Sequence, residues 1–216
     1  TILVIEDSRF ACEALRLLCL RSGARIRRAD CLKSARRHLQ VYRPSVVIAD
    51  LGLPDGSGLE LIRELSEASQ RLRVLLAISG DENLEQSAME AGADGFLAKP
   101  INSLAAFQNA ILSRLPSEDQ PTGPRELTDE IIEPDPIAFL DDMAHAADVL
   151  KDVEEEKNLD YLAQFLSGVA RSAGDKPLAQ AAKDLAEARS SGQSLKIDTS
   201  VLAGLVKERL DRRVAI

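Results

Sequence analysis

Aromatic side chains are scarce in this chain of 216 residues: tryptophan is absent, and aromatic residues make up only 3%. Proteins that bind single-stranded nucleic acid without sequence preference stack its bases on aromatic rings. The composition therefore argues against a surface of that kind.

The sequence also lacks a long apolar run. A membrane-spanning helix needs about 20 consecutive apolar residues, and no stretch approaches that length. Residues 1–5 form an apolar run that is too short for the core of a secretory signal. We therefore expect no membrane partner and a cytoplasmic location.

Cysteine is rare, with three residues at Cys12, Cys19 and Cys31. An odd number without CxxC spacing argues against a disulfide framework and against a zinc site. Cys12 and Cys19 are seven residues apart in a helical stretch, and free cysteines of this kind are usually buried. We interpret both as core residues.

Charge is distributed unevenly along the chain. Residues 1–115 contain 15 Lys and Arg against 14 Asp and Glu, whereas residues 116–216 contain 12 against 21. The first half is thus close to neutral at +1, and the second half carries –9. Because DNA phosphates repel an acidic surface, a nucleic-acid partner is unlikely for the second half.

The first 115 residues alternate between short β-rich runs and longer amphipathic segments. The predicted strands are 2–5, 24–28, 46–49, 74–78 and 95–98, and the predicted helices are 9–22, 32–42, 57–69, 82–91 and 101–115. This alternation predicts an α/β fold, a doubly wound five-stranded parallel sheet with helices on both faces. Ligands of such sheets bind at the carboxyl ends of the strands.

The rest of the chain has a different character. Residues 116–136 contain five prolines among acidic and small polar residues, which is typical of a stiff or irregular linker. From residue 137 onward we predict only helices, at about 136–156, 158–173, 176–190 and 198–213, with apolar residues three and four apart. This pattern favours an all-α four-helix bundle over residues 137–216.

Polar residues follow the predicted strands of the first half. They are Glu6 and Asp7 after the first strand, Asp50 after the third, Ser79 after the fourth and Lys99 after the fifth. Carboxylates that converge at one sheet edge are costly unless a cation neutralises them. Oxygen ligands of this kind suit Mg²⁺, and a lysine with a hydroxyl suits a transferred phosphoryl group.

Residues 1–115 resemble a receiver domain of the two-component response regulators. The matching residues are Glu6-Asp7, Asp50 with the following Leu51-Gly52-Leu53-Pro54-Asp55-Gly56-Ser57-Gly58, Ser79-Gly80 and Lys99-Pro100. The resemblance implies a flavodoxin-like receiver fold. It also implies that Asp50 accepts a phosphoryl group from a histidine kinase or a phosphotransfer protein.

The resemblance further implies a role for each matched residue. Asp7, Asp50 and the backbone carbonyl of Gly52 would hold Mg²⁺, with Glu6 supporting the ion through water. Ser79 and Lys99 would bind phosphoryl oxygens. The peptide bond before Pro100 would be cis, a minority state of X–Pro bonds, and would place Lys99. Phe96 stands at the position of the switch aromatic, or is an ordinary core aromatic.

A segment of the second half resembles the central helix of histidine phosphotransfer (Hpt) domains. The Hpt pattern is His-x-x-Lys-Gly followed six residues later by Gly, and Gly168 and Gly174 match its two glycines. Gln164 stands in place of the phosphorylated histidine and Ser167 in place of the lysine. An amide is not a nucleophile for phosphoryl transfer. The resemblance implies an Hpt-like domain that cannot relay phosphate; a chance match in a helical bundle is the alternative.

These features predict a signalling switch. Phosphorylation of Asp50 would alter how the helical half meets a downstream protein partner or a second copy of the chain as a homodimer. An alternative is an inhibitor or adaptor that docks kinases or receivers through its pseudo-Hpt domain. A transcriptional output is less favoured, and we expect no enzyme activity because the second half lacks cysteine and a glycine-rich phosphate loop.

Overall fold

The computed structural model describes residues 1–120, 130–151, 156–191 and 196–212. The chain forms two compact units. The first consists of Thr1–Asp7 and Ala11–Pro134, and the second consists of Ser8–Phe10 and Asp135–Ile216. Part of the predicted linker, residues 121–129, lies outside the described residues.

A five-stranded parallel sheet forms the centre of the first unit. The strands among the described residues are β1 (Ile2–Ile5), β2 (Ile26–Ala29), β3 (Val46–Asp50), β4 (Gly52–Leu53), β5 (Gly56–Ser57), β6 (Val74–Ser79) and β7 (Gly95–Ala98). The order in the sheet is β2-β1-β3-β6-β7, while β4 and β5 form a small antiparallel hairpin. Every pairing in the sheet is parallel, so the predicted sheet is confirmed.

Five helices cover the two faces of this sheet: α1 (Arg9–Arg21), α2 (Leu32–Val41), α3 (Gly58–Ser66), α4 (Glu85–Glu90) and α5 (Leu104–Leu112). Alternate strand residues point to opposite faces. Leu3 and Val47 therefore pack in the cluster that contains the buried residues of α2, α3 and α4. Val4 and Ile48 pack in the cluster of α1 and α5. Cys12 and Cys19 belong to this second cluster and are buried.

The predicted helices of the first unit are all shorter in the structure, and the one predicted at 57–69 is α3, Gly58–Ser66. The segment predicted at 82–91 begins as a 3₁₀ turn, Glu82–Leu84, and continues as α4. The helix predicted at 101–115 begins at Leu104, because Ser103 is its N-cap and accepts a hydrogen bond from the Ala106 N–H. The loop after Lys99 is correspondingly longer.

Residues 130–132 form a strap that pairs with the loop before α5. The Leu104 N–H donates to the Glu130 carbonyl at 3.0 Å, and the Ile132 N–H donates to the Asn102 carbonyl at 2.7 Å. The Ile132 side chain is buried in the cluster of α1 and α5. Both backbone and side chain thus bind this part of the predicted linker to the first unit.

Helices and short connections make up the described residues of the second unit. Its helices are α6 (Pro136–Lys151), α7 (Glu156–Ser172), α8 (Lys176–Ser190) and α9 (Lys196–Asp211). All four contribute side chains to one hydrophobic cluster, including Met143, Leu166, Leu185 and Leu202. None of the described helices combines the length and apolar character that crossing a membrane requires.

Candidate functional site

Four strands of the sheet deliver polar residues to one edge. Asp50 is the last residue of β3 and lies in register with Ile78 of β6. Ser79 follows Ile78 and is in register with Ala98 of β7. Glu6 and Asp7 come directly after β1, and Lys99 directly after β7. Because these strands are parallel neighbours, their carboxyl ends meet at a common edge, as the sequence predicted.

Lys99 joins two carboxylates in this cluster. Its Nζ lies 2.8 Å from Asp50 Oδ2 and 2.7 Å from Glu6 Oε2. The side chains of Lys99 and Glu6 are almost fully buried, at 3% and 0% exposure, whereas that of Asp50 keeps 9%. Asp50 is buried too, but it is the most exposed member of the bridge.

The three carboxylates also form a group of metal-binding character. Glu6, Asp7 and Asp50 each offer an oxygen atom, and these atoms all lie within 4.8 Å of one another. Hard divalent cations such as Mg²⁺ select carboxylate oxygens and keep several waters. The half-exposed position of Asp7 leaves room for such waters. The donor set therefore suits Mg²⁺.

Burial and charge set the protonation of the bridge. Burial would lower the pKa of Lys99, but the carboxylates of Asp50 and Glu6 outweigh it and raise that pKa above its usual value. Burial raises the pKa of Glu6 well above its usual range, and Asp50 raises it further. Lys99 is consequently a permanent ammonium ion beside Asp50.

The segment after Asp50 wraps closely around it. The Gly52 N–H donates to Asp50 Oδ1 at 3.4 Å, and the Gly58 N–H donates to the Leu51 carbonyl at 3.1 Å. Gly58 begins α3 with Ser57 as its N-cap. The side chain of Asp50 is thus held by the Gly52 N–H as well as by Lys99.

Ser79 lies at the end of β6 with its hydroxyl already in one hydrogen bond. Its Oγ accepts from the Asp81 N–H at 3.0 Å. A serine hydroxyl that accepts in this way keeps its proton for donation to another group. The backbone of the same residue is tied to the bridge, because the Lys99 N–H donates to the Ser79 carbonyl at 2.9 Å.

A comparison with known families shows to which family a chain with this site belongs. The response regulator receiver domain matches residues 2–111, about half of the chain. The chain belongs to the response regulator receiver family. The resemblance drawn from the residues around Asp50 is therefore confirmed for the first half.

Two curated relatives match about half of this chain. The KDP operon transcriptional regulatory protein KdpE of Escherichia coli K12 is 34% identical over 115 residues, which cover 52% of this chain and 51% of KdpE. The virulence transcriptional regulatory protein PhoP of Salmonella typhimurium is 32% identical over 117 residues, 52% of each chain. This chain thus spans about half the length of the curated relatives it matches.

A solved structure gives the same coverage. The receiver domain from Methylobacillus flagellatus is 28% identical, with a TM-score of 0.47, over 52% of this chain and 96% of that domain.

Two further residues predicted from the sequence, Pro100 and Phe96, lie in or just after β7 near the receiver site. The Lys99–Pro100 peptide bond is cis, as expected. Phe96 lies in β7, in register with Ala77, and its half-buried ring packs against the cluster of α2, α3 and α4. A switch role for Phe96 stays a prediction.

Asp55 has a structural role that the sequence did not reveal. Its carboxylate oxygens accept from the N–H groups of Leu32 at 2.7 Å and Lys33 at 2.9 Å. These groups belong to the first turn of α2, where free N–H donors favour an anion. The signal for this contact, an acidic residue in the turn after β4, is weak without knowledge of which helix it faces.

The remaining predicted position lies in the other unit. Gln164 is exposed in the middle of α7, and four residues later Gly168 is buried. Gly174 ends the helix with φ of +68°, a left-handed conformation that glycine adopts readily. The family match ends before this segment, so the relation to Hpt domains stays a prediction.

Proposed function

We propose that the protein is a two-component response regulator whose receiver domain accepts a phosphoryl group on Asp50. The observation that carries the proposal is the bridge of Lys99 Nζ between Asp50 and Glu6, at 2.8 and 2.7 Å. A buried ammonium ion beside a more exposed carboxylate suits a nucleophile whose product is an anion. The phosphodonor would be a histidine kinase or a phosphotransfer protein.

In the proposed phosphoryl transfer, the protein contributes mainly the positions and the charges of its side chains. A carboxylate oxygen of Asp50 forms a bond to phosphorus, while the bond from phosphorus to the donor nitrogen breaks and the donor keeps the electron pair. Lys99 and the Ser79 hydroxyl would bind two oxygens of the transferred group. We propose no further turnover chemistry, so the chain would not be an enzyme in the usual sense.

Magnesium would complete this arrangement. Asp7, Asp50 and the Gly52 carbonyl would hold the ion, and Glu6 would support it through water. When bound, the ion would neutralise carboxylate and phosphoryl oxygens. The chain's own contribution is to hold the donor oxygens within 4.8 Å of one another.

The strap supports a route from this site towards the helical unit. Lys99 begins the loop that leads to α5, and Asn102 and Leu104 in that loop are hydrogen-bonded to the strap residues Ile132 and Glu130. Pro134 ends the first unit only two residues after Ile132. We propose that phosphorylation changes this loop and thereby the strap, with output through a protein partner of the helical unit or through a homodimer.

The first experiment follows phosphorylation directly. The full chain is incubated with Mg²⁺ and acetyl phosphate, and its intact mass is measured. We expect one added phosphoryl group in the parent and none in Asp50→Asn. EDTA should suppress the labelling. Equal labelling of Asp50→Asn and the parent would disprove the proposal.

A second function is favoured by the exposure of Gln164 in mid-helix above the buried Gly168. The helical unit would then act as an adaptor that docks kinases or receivers without relaying phosphate. Gln164→Arg in the full chain should reduce binding to a receiver domain, measured by calorimetry, whereas Lys207→Arg on α9 should not. Undiminished binding by Gln164→Arg would contradict this function.

The names of the curated relatives raise a transcriptional role, but each match covers only 52% of this chain. The second half of the chain, residues 116–216, carries a net charge of –9, which opposes DNA phosphates. We expect no retention of random duplex DNA in a gel shift at low salt, and clear retention would make the transcriptional function the better proposal.

A further inference from the structure

Basic residues are concentrated in one short segment of the receiver domain. Residues 25–43 contain seven Lys and Arg and a single acidic residue, Asp30. Their formal charge is +6 in a chain of –8, so the remaining residues sum to –14. The segment is therefore positively charged, whereas the whole chain has a negative net charge.

The structure places this charge on an edge of the sheet. Among the described residues, β2 pairs with β1 alone and is the end strand of the sheet. Arg25, Arg27 and Arg28 on or beside β2 are exposed, as are Lys33 and Arg37 on α2. We call these five residues the basic edge.

The basic edge has cations on both sides of the strand. Arg27 lies near the Tyr42 phenol, whose pKa is raised by burial and lowered by that guanidinium. Arg28 lies near the Cys12 thiol of α1. Burial raises the pKa of that thiol, and the Arg28 guanidinium lowers it. Successive side chains of a strand point to opposite faces, so the exposed strand edge itself lies between the two guanidinium groups.

Other arginines of the same domain are neutralised by partners. Arg36 pairs with Glu64 and Arg71 with Asp94. In contrast, Arg25, Arg27, Lys33 and Arg37 have no ion pair or side-chain hydrogen bond to any described residue. Charged side chains do protect edge strands from aggregation, but a few charges suffice for that, and the formal charge of this segment is +6 even though Glu64 neutralises Arg36.

We propose that the basic edge docks an acidic, extended polypeptide segment of a partner protein. The segment would add to β2 as a further strand, with main-chain hydrogen bonds to the unpaired edge and carboxylates against the arginines. This docking does not depend on phosphorylation of Asp50. Partner choice by the receiver domain would then be set partly at the sheet edge.

An acidic peptide accounts for both features better than other polyanions do. A phosphate backbone or a lipid surface would use the charges but not the N–H and C=O groups of the strand edge. Both would also meet long-range repulsion from the remaining –14 of the chain, because they are extended anions. A short peptide presents its charge only along β2.

Fluorescence anisotropy on the full chain tests the proposal. The probe is a fluorescein-labelled peptide of alternating glutamate and threonine, titrated without phosphodonor. We expect saturable binding that weakens with salt. The double variant Arg27→Glu with Arg28→Glu should raise Kd at least about tenfold. Arg63→Glu with Lys176→Glu changes the net charge equally at exposed positions elsewhere and should leave Kd nearly unchanged.

Three further results decide against the proposal. They are an absence of peptide binding at low salt, an equal loss of affinity in the control variant, and tighter edge-dependent binding of anionic vesicles or duplex DNA. A peptide with proline in place of threonine, which lacks those N–H donors, should bind more weakly. Equal affinity for it would overturn strand addition. Labelling by acetyl phosphate should persist in both variants and shows that they fold.

Discussion

Gly58 lies so close to Asp50 that a Cβ atom on it would be 2.0 Å from the Asp50 carbonyl oxygen. The obstacle is backbone, which cannot rotate away as a side chain can. The start of α3 therefore packs directly against the end of β3, and only the absence of a side chain at position 58 permits this contact.

Gly58→Ala should destabilise the receiver domain by about 2 kcal/mol or more, because the backbone around Asp50 must shift to admit the methyl group. Urea unfolding followed by circular dichroism measures the loss. Gly204→Ala is the matched control, since Gly204 lies within α9 and a Cβ atom added there would meet no other atom within 4 Å. That change should be neutral or stabilise by about 0.5–1 kcal/mol. Equal stability of Gly58→Ala and the parent would contradict the close approach.

Lys99→Met should affect both the stability of the receiver domain and the phosphorylation of Asp50, because the ammonium ion contributes to each. Removing one partner of a buried ion pair leaves the other uncompensated and costs about 3–5 kcal/mol. Acetyl phosphate labelling should fall sharply, because Asp50 loses the cation at 2.8 Å. Added Mg²⁺ should raise the melting temperature of this variant more than that of the parent, since the ion replaces the lost charge. An identical Mg²⁺ response in both proteins would argue against a shared pocket.

The three thiols should differ in reactivity. Burial raises the pKa of Cys12 and Cys19 to about 12, so at pH 8 only about one thiol in ten thousand is ionised. Cys31 also has a raised pKa through burial but is partly exposed. Ellman's reagent should modify Cys31 first in the native protein. Cys31→Ser should remove this early phase, and its persistence would show that a buried cysteine is reached.

Asp175 and Arg209 should make the helical unit sensitive to acid. The Arg209 guanidinium donates from Nε and Nη2 to Asp175 at 2.7 and 2.8 Å, and the Leu178 N–H donates to the same carboxylate. The hydrogen bonds from Arg209 lower the pKa of Asp175. The stabilisation is thus complete above the ordinary aspartate pKa and is lost as pH falls through the lowered one.

Asp175→Ala should cost about 2–4 kcal/mol at pH 7, because it removes a helix cap and a half-buried ion pair. The difference in stability from the parent should shrink in acid, which unfolding curves at pH 7 and pH 3 would measure. Asp184→Ala on the exposed side of α8 serves as the control. A difference that does not depend on pH would rule out the assigned ion pair.

The strap offers a comparison of adjacent residues. Ile132 is 5% exposed and Ile131 is 56% exposed. Ile132→Ala should destabilise the receiver domain by about 2–5 kcal/mol through lost burial and a cavity, whereas Ile131→Ala should change it by less than about 0.5 kcal/mol. Thermal unfolding distinguishes the two variants, and equal losses of stability would show that the Ile132 side chain does not pack in the core.

The sequence predicts the sheet well because its signals are local. Strands β1, β3 and β6 are continuous apolar runs, and a polar residue stands at or directly after the end of each. The same feature locates Glu6, Asp50 and Ser79. The start of α5 was predicted three residues early, since only the structure shows that Ser103 caps it.

Other contacts depend on distant parts of the chain. The composition of residues 116–136 predicts a linker, but Ile132 reaches the core by pairing with Asn102, thirty residues earlier. Asp55 caps a helix that precedes it by more than twenty residues. Neither contact has a periodic signal. The helical half has a clear helix pattern, but its function depends on a partner surface that no residue spacing reveals.

The site formed by Glu6, Asp7, Asp50, Ser79 and Lys99 is a pocket assembled from the ends of β1, β3, β6 and β7, and so it requires the chain from the first strand to Lys99. No shorter fragment contains it. An ion that binds only the assembled pocket adds its binding free energy to the folding equilibrium, about 2.7 kcal/mol at a concentration one hundred times its dissociation constant. The ionic composition around the protein would thus help to determine how much of it is folded, before any phosphodonor arrives.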